Sequence, residues 1–159
     1  MLGNKYKLSG FNTIMKKQEI VILIGHSGVG KSVVGSLLAQ KIKHKWVDSD
    51  IYLHDVLKFP RKISYSREEF ERKKELELEI LKFVLSQNNV VFSAGEGLLV
   101  NQNEEYLSEI EKLLIKIDNV ELLYKKGQDL SVFLKFTKKS VCVDGKSVES
   151  VVDEVSKLL

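Results

Sequence analysis

One cysteine, one proline and one tryptophan occur in the 159 residues, and arginine is confined to Arg61, Arg67 and Arg72. The lone thiol, Cys142, excludes a disulfide framework within one chain. Its setting, Ser140-Val141-Cys142-Val143, reads as a buried strand cysteine rather than a nucleophile. The lack of disulfides fits a reducing compartment, so a cytoplasmic location is expected. No apolar run approaches the roughly 20 residues that span a bilayer, and no membrane association is expected. Positive charge is also in short supply: 25 basic residues face 22 acidic ones, for a formal charge of +3. So small and dispersed an excess gives no ground for a nucleic-acid partner. His44 and His54 have no ligand partners at metal spacing, which argues against zinc.

Glycine is sparse, yet three of the 10 fall within six positions. Gly25-His26-Ser27-Gly28-Val29-Gly30-Lys31-Ser32 follows the apolar run Ile20-Val21-Ile22-Leu23-Ile24 and precedes a segment of helical periodicity. This is the G-x-x-x-x-G-K-[ST] pattern in a strand, loop and helix setting. The glycines let the backbone turn so that successive N–H groups face phosphate oxygens, and the helix adds its positive end. Lys31 is expected to reach the outer phosphates and Ser32 to offer its hydroxyl to a magnesium ion. The nucleotide-binding stretch is expected to run through Val33. His26 occupies a variable position of the pattern and is expected to face solvent.

Residues 1–18 are basic, show no periodicity and lack the apolar core of a secretory signal; a loose tail is expected there, with Met15 as an alternative start. Residues 19–159 form a single domain by length. The spacing of Val33, Val34, Leu37, Leu38 and Ile42 predicts a helix to about Lys43. A short strand at Trp46-Val47 leads into Asp48-Ser49-Asp50, and 51–57 reads as helix before Pro60 interrupts it. Ser66 and Glu69 form a capping-box pair at the head of a long helix. A third strand is predicted at Val90–Ser93, a helix at 103–110, a fourth strand at 113–117 and a short helix near 119–126, stopped by Gly127. Residues 129–138 are ambiguous. A last strand at 140–144 precedes a helix capped by Ser147. Short apolar strands separated by helices predict an α/β domain of three layers around a parallel sheet. Ligands then bind at the carboxyl ends of the strands, where the glycine-rich loops and Asp48–Asp50 all fall.

Asp48 and Asp50 can divide two tasks there, one toward a metal ion and one toward a hydroxyl. Either can instead simply cap the following helix.

The phosphate loop, Leu37-Leu38-Ala39, Asp48-Ser49-Asp50 and Ser93-Ala94-Gly95-Glu96-Gly97 together resemble the shikimate kinase family of small P-loop kinases. The resemblance covers about 19–126 well and 140–159 loosely. It implies a five-stranded parallel sheet in order 2-3-1-4-5 and transfer of the ATP γ-phosphoryl to the hydroxyl of a small-molecule acceptor, with Mg2+ as cofactor. By position, Lys31 and Asp50 become the catalytic residues, and Ser32 and Asp48 serve the metal. Asp50, Gly95, Glu96 and Gly97 line the acceptor pocket, and Lys125 or Lys126 falls near an adenine-contacting arginine. The resemblance implies no membrane or nucleic-acid partner, and the chain is expected to act as a monomer.

The departures fall on the acceptor side. Family members follow a phenylalanine with an arginine that grips the acceptor's carboxylate, whereas Phe70 precedes Glu71. Their lid carries an arginine in an Arg-Pro-Leu-Leu stretch; here the chain passes from Gly127 to the last strand without room for it. A further acceptor-binding arginine has no counterpart near Ser131, and Glu96 replaces the middle glycine of a triple-glycine loop. Two readings follow: an active kinase with shikimate or a less anionic acceptor, or a nucleotide-binding relative with little activity. A gluconate-kinase-like enzyme is the alternative among kinases, from Asp48-Ser49-Asp50 followed by His54.

Overall fold

The computed structural model describes residues 19–101 and 103–159. The expected tail at 1–18 lies outside them.

Strand β1 (Ile20–Ile24) is apolar at every position because both its faces are covered. Ile20, Ile22 and Ile24 point into one core with Ile80, Leu81, Val84 and Ile110. Val21 and Leu23 point into the other with Val34, Leu38, Val151, Val152 and Val155. Period-two alternation thus sorts one uniformly apolar strand between two cores.

Around it stand β2 (Lys45–Asp48), β3 (Val90–Ser93), β4 (Asn119–Tyr124) and β5 (Lys139–Cys142). The sheet order is β2-β3-β1-β4-β5 and every pairing is parallel, with Ile22 opposite Phe92 on one side and Val120 on the other. Helices α1 (Lys31–Ile42) and α6 (Val148–Leu158) cover one face, and α3 (Arg67–Leu85) and α4 (Glu104–Leu114) cover the other. This is the expected three-layer architecture. The chain reverses direction across the sheet beside β1, which leaves the ligand crevice at the carboxyl ends of β1 and β3.

Local signals act as predicted at several helix starts. The Ser66 hydroxyl accepts from Glu69 N and the Glu69 carboxylate accepts from Ser66 N, closing the capping box. Ser147 accepts from Ser150 N at the head of α6. Residues 51–57 are helical as expected, α2 (Ser49–Ile51) passing into a π-helical turn at Tyr52–Val56.

The fourth strand is the main correction. It lies at Asn119–Tyr124, not 113–117, so the helix expected near 119–126 does not exist. Leu113 and Leu114 instead close α4, and Ile115 is left 79% exposed. The cause is Glu121, a fully buried carboxylate inside Asn-Val-Glu-Leu-Leu-Tyr that breaks the apolar run. Its Oε1 lies 3.7 Å from Lys139 Nζ, and burial pushes its pKa up. Gly127 (φ 84°) turns the chain after this strand rather than stopping a helix. The ambiguous stretch beyond it holds a single short helix, α5 (Ser131–Leu134). Cys142 sits on β5 but is only half-buried.

Candidate active site

The phosphate loop leaves β1 through Gly25, whose φ of 145° is open only to glycine. Any Cβ there would overlap the carbonyl oxygen of Leu123 on β4. The loop therefore lies against the sheet edge before it rises into α1. Gly30 is the N-cap of that helix in a left-handed conformation (φ 96°), and neither a side-chain cap nor a first-turn acid consumes the helix's positive end. Those free amides are suited to phosphate oxygens.

Lys31 Nζ donates to the carbonyls of Gly25 (2.7 Å) and His26 (2.8 Å), folding back over the loop it ends. Burial lowers its pKa, opposed by the charges of Glu96, Asp50 and Asp48. The Ser32 hydroxyl donates to Asp48 Oδ2 at 2.5 Å, while Asp48 Oδ1 accepts from the backbone N–H of Asp50 and Ile51 at 3.0 Å each. Asp48 thus caps α2, as one of its two readings had it, and also accepts from the phosphate loop's Ser32. That cap also fixes Asp50, which is exposed at the mouth of the cleft.

The opposite wall is the loop after β3. A Cβ on Gly95 would stand 3.0 Å from Ser49 Oγ and 3.2 Å from Asp50 Oδ1, so this glycine is what lets the loop approach Asp50. Glu96 Oε2 accepts the Ser27 backbone N–H at 2.7 Å, and that bond is the largest influence holding its pKa below the ordinary carboxylate range. Glu96 therefore reaches across to the phosphate loop. Gly97 packs against the carboxylate of Glu77. Ser27, Gly28, Gly30–Val33, Asp48, Asp50 and Ser93–Glu96 line one cleft of about 230 Å³. Sequence-predicted residues from both walls are thereby brought together.

The donor set fits magnesium. Ser32 and Asp48 supply adjacent hard oxygens, and Mg2+ is commonly held by one or two protein oxygens completed by phosphate and water. No cluster of three or more His, Cys, Asp or Glu suited to a metal exists among the described residues, so the fit is to a metal shared with a phosphate ligand.

Ser93, Glu77 and Asp129 take part in ways not legible in advance. Ser93 Oγ donates to the Lys31 carbonyl (2.7 Å) and accepts from Trp46 Nε1 (3.1 Å), tying α1 to β2 and β3. Glu77 is buried and lies 3.4 Å from Lys73, its pKa raised chiefly by burial. Its place on the same helical stripe as Leu81 and Val84 is the signal that could have found it. Asp129 offers its carbonyl to His26 Nε2 at 2.7 Å, and the His26 ring meets the edge of buried Phe133 at 4.9 Å. His26 is thus half-buried against the segment around α5 instead of facing solvent. Arg61 (3.7 Å from Asp55) and Arg72 (3.0 Å from Glu75) pair with exposed acids, and Glu71 pairs with Lys74.

The family model described as shikimate kinase matches residues 27–128. A shikimate kinase of Clostridium botulinum (strain Alaska E43 / Type E3) is 29% identical over 163 residues, covering 87% of this chain and 96% of that protein. The crystal structure of shikimate kinase from Aquifex aeolicus superposes with a TM-score of 0.66 at 24% identity, covering 87% of this chain and 94% of the other. A gluconokinase from Sinorhizobium meliloti shares the fold at 15% identity and a TM-score of 0.54, covering 89% and 90% of the two chains. With the phosphate loop from Ser27 onward, the strand-end aspartates and the third-strand loop inside the matched span, the chain belongs to the shikimate kinase family.

Proposed function

We propose that this protein is an ATP-dependent kinase that phosphorylates the hydroxyl of a small molecule in the cleft between the phosphate loop and the 95–97 loop. The observation that carries this reading is the bond from Ser32 to Asp48, because Asp48 also fixes the turn that presents Asp50. One contact thus links the phosphate-binding wall to the candidate base.

In this reading the loop amides and Lys31 bind the phosphates, and Lys31 neutralises charge that builds up as the terminal phosphoryl leaves. Ser32 and Asp48 would hold Mg2+, which screens the phosphate oxygens when bound. Asp50 accepts the acceptor's hydroxyl proton as its oxygen bonds to the γ-phosphorus. The bond from that phosphorus to the bridging oxygen breaks, releasing ADP. Gly95 and Gly97 keep the acceptor wall close. Shikimate is one candidate acceptor and gluconate another. Both are monoanions, and three carboxylates to one ammonium in the cleft lining favour an acceptor less anionic than either.

A second reading, nucleotide binding with little turnover, is favoured by the surface pairing of Arg61 and Arg72, which keeps both arginines on exposed partners. The test is nucleotide titration by calorimetry followed by ADP-release assays with an acceptor panel that includes shikimate and gluconate. Nucleotide binding with acceptor-dependent turnover is expected; binding without turnover by any acceptor sinks the kinase reading. Lys31→Ala should weaken nucleotide binding and lower turnover by about 10²–10³-fold.

A further inference from the structure

Side-chain contacts that join the walls of the cleft include Ser32 to Asp48 and Glu96 to the Ser27 backbone. The second is of a different kind. A phosphate loop binds anions through its backbone N–H groups, and here one of those groups is already taken by a carboxylate at 2.7 Å. His26 Nδ1 lies 3.6 Å from the other oxygen, Glu96 Oε1, so the carboxylate is flanked on two sides. Glu96 is also the foremost of the three carboxylates acting on Lys31. It therefore occupies a phosphate-like seat, within reach of the charges a phosphate would use.

The place of that seat decides which phosphate it rivals. The phosphoryl that moves must lie between the donor wall and Asp50, because it is attacked from the acceptor side. Ser27 is the loop residue whose N–H reaches the acceptor loop, through Glu96. A nucleoside triphosphate carries the phosphoryl that moves into this gap, and a diphosphate lacks it.

We infer that Glu96 is a specificity-determining residue that competes with the terminal phosphate of a nucleoside triphosphate for the Ser27 N–H, so that ATP must expel its carboxylate and ADP need not. The inference rests on the nucleotide-binding reading above. It makes the resting protein discriminate against the substrate nucleotide relative to the product, and it ties entry of the donor to movement of the acceptor loop.

Calorimetric titration with Mg2+ and either ADP or the β,γ-imido analogue of ATP tests this on three full-length proteins: wild type, Glu96→Ala and Glu96→Gln. Glu96→Ala should tighten the imido analogue about tenfold, the scale of one charge-assisted hydrogen bond. The same change should alter ADP affinity by no more than about twofold. Glu96→Gln should give a smaller gain for the analogue, since an amide oxygen can accept the same N–H without the charge. Equal tightening of both nucleotides, or no gain for the analogue in either variant, overturns the inference while leaving the nucleotide-binding reading intact. Failure of all three proteins to bind either nucleotide overturns both.

Discussion

The wall at Gly25–Ser32 is built on backbone torsions and amides, whereas the wall at Asp48–Asp50 and Gly95–Gly97 takes its character from side chains. The first depends on torsions that only glycine adopts and on amides at a helix start, so few substitutions leave it intact. The second depends on which side chains its two loops carry. There Glu96 stands where the resembling family has glycine, without disturbing the sheet beneath. The cleft can therefore keep its donor chemistry while its acceptor chemistry changes. That accounts for a recognisable phosphate loop beside an acceptor region whose arginines pair elsewhere.

If this division is right, Asp50→Asn should give the largest functional effect with the least structural one. Turnover with any responding acceptor is expected to fall by about 10²–10⁴-fold, while nucleotide affinity stays unchanged. Thermal stability should move by less than about 0.5 kcal/mol, because Asp50 is exposed and its capping bonds come from its backbone. A matching loss of nucleotide affinity would break the distinction between the walls.

On the backbone wall, Gly25→Ala should cost about 2–4 kcal/mol in urea unfolding, from a forbidden torsion plus overlap with Leu123. Nucleotide binding should be lost with it. Retained stability would mean that the loop can shift off β4.

Gly95→Ala probes the other wall by the same chemistry. Its φ is −64°, so no torsional penalty applies, and the new methyl meets only Ser49 and Asp50 side chains. A stability loss of about 1 kcal/mol is expected, with turnover reduced through displacement of Asp50 and nucleotide affinity unchanged.

The smallest effect is electrostatic. Glu77 lies behind Gly97, and burial raises its pKa above 4.5. The folded chain holds this proton more tightly than the unfolded one. The associated stability is complete below about pH 4.5 and is lost as pH rises through the elevated value. Glu77→Gln should therefore flatten the decline of unfolding free energy as pH rises above about 4.5, leaving the decline of like sign from Glu121. An unchanged slope would show that Lys73 keeps Glu77 ionised throughout.

The nucleotide side was legible because its chemistry is local. Eight consecutive residues carry the loop, and the strand and helix around it announce themselves by apolar spacing. The capping box was legible for the same reason, since a side chain and the amide it caps lie within one turn. Two sites resisted for one shared reason. Glu121 and Glu77 are charged residues in buried positions, and an apolar pattern cannot register a carboxylate among core residues, whether its partner stands on another strand, as Lys139 does for Glu121, or one turn back on the same helix, as Lys73 does for Glu77. The first hid β4, and the second hid the support behind the acceptor wall.

The sequence by itself determined a parallel α/β sheet with its loops of interest at one edge, and a phosphate loop followed by an aspartate pair. Each follows from periodicity or from residues near one another in the chain. Only the tertiary structure decided that Asp48 serves Ser32 and caps α2 at once, that His26 packs on Phe133, and that Glu96 sits on the Ser27 N–H across 69 positions of sequence. Those contacts join separate strand ends, and their distances are set by the packing of helices on the sheet, which no local pattern encodes.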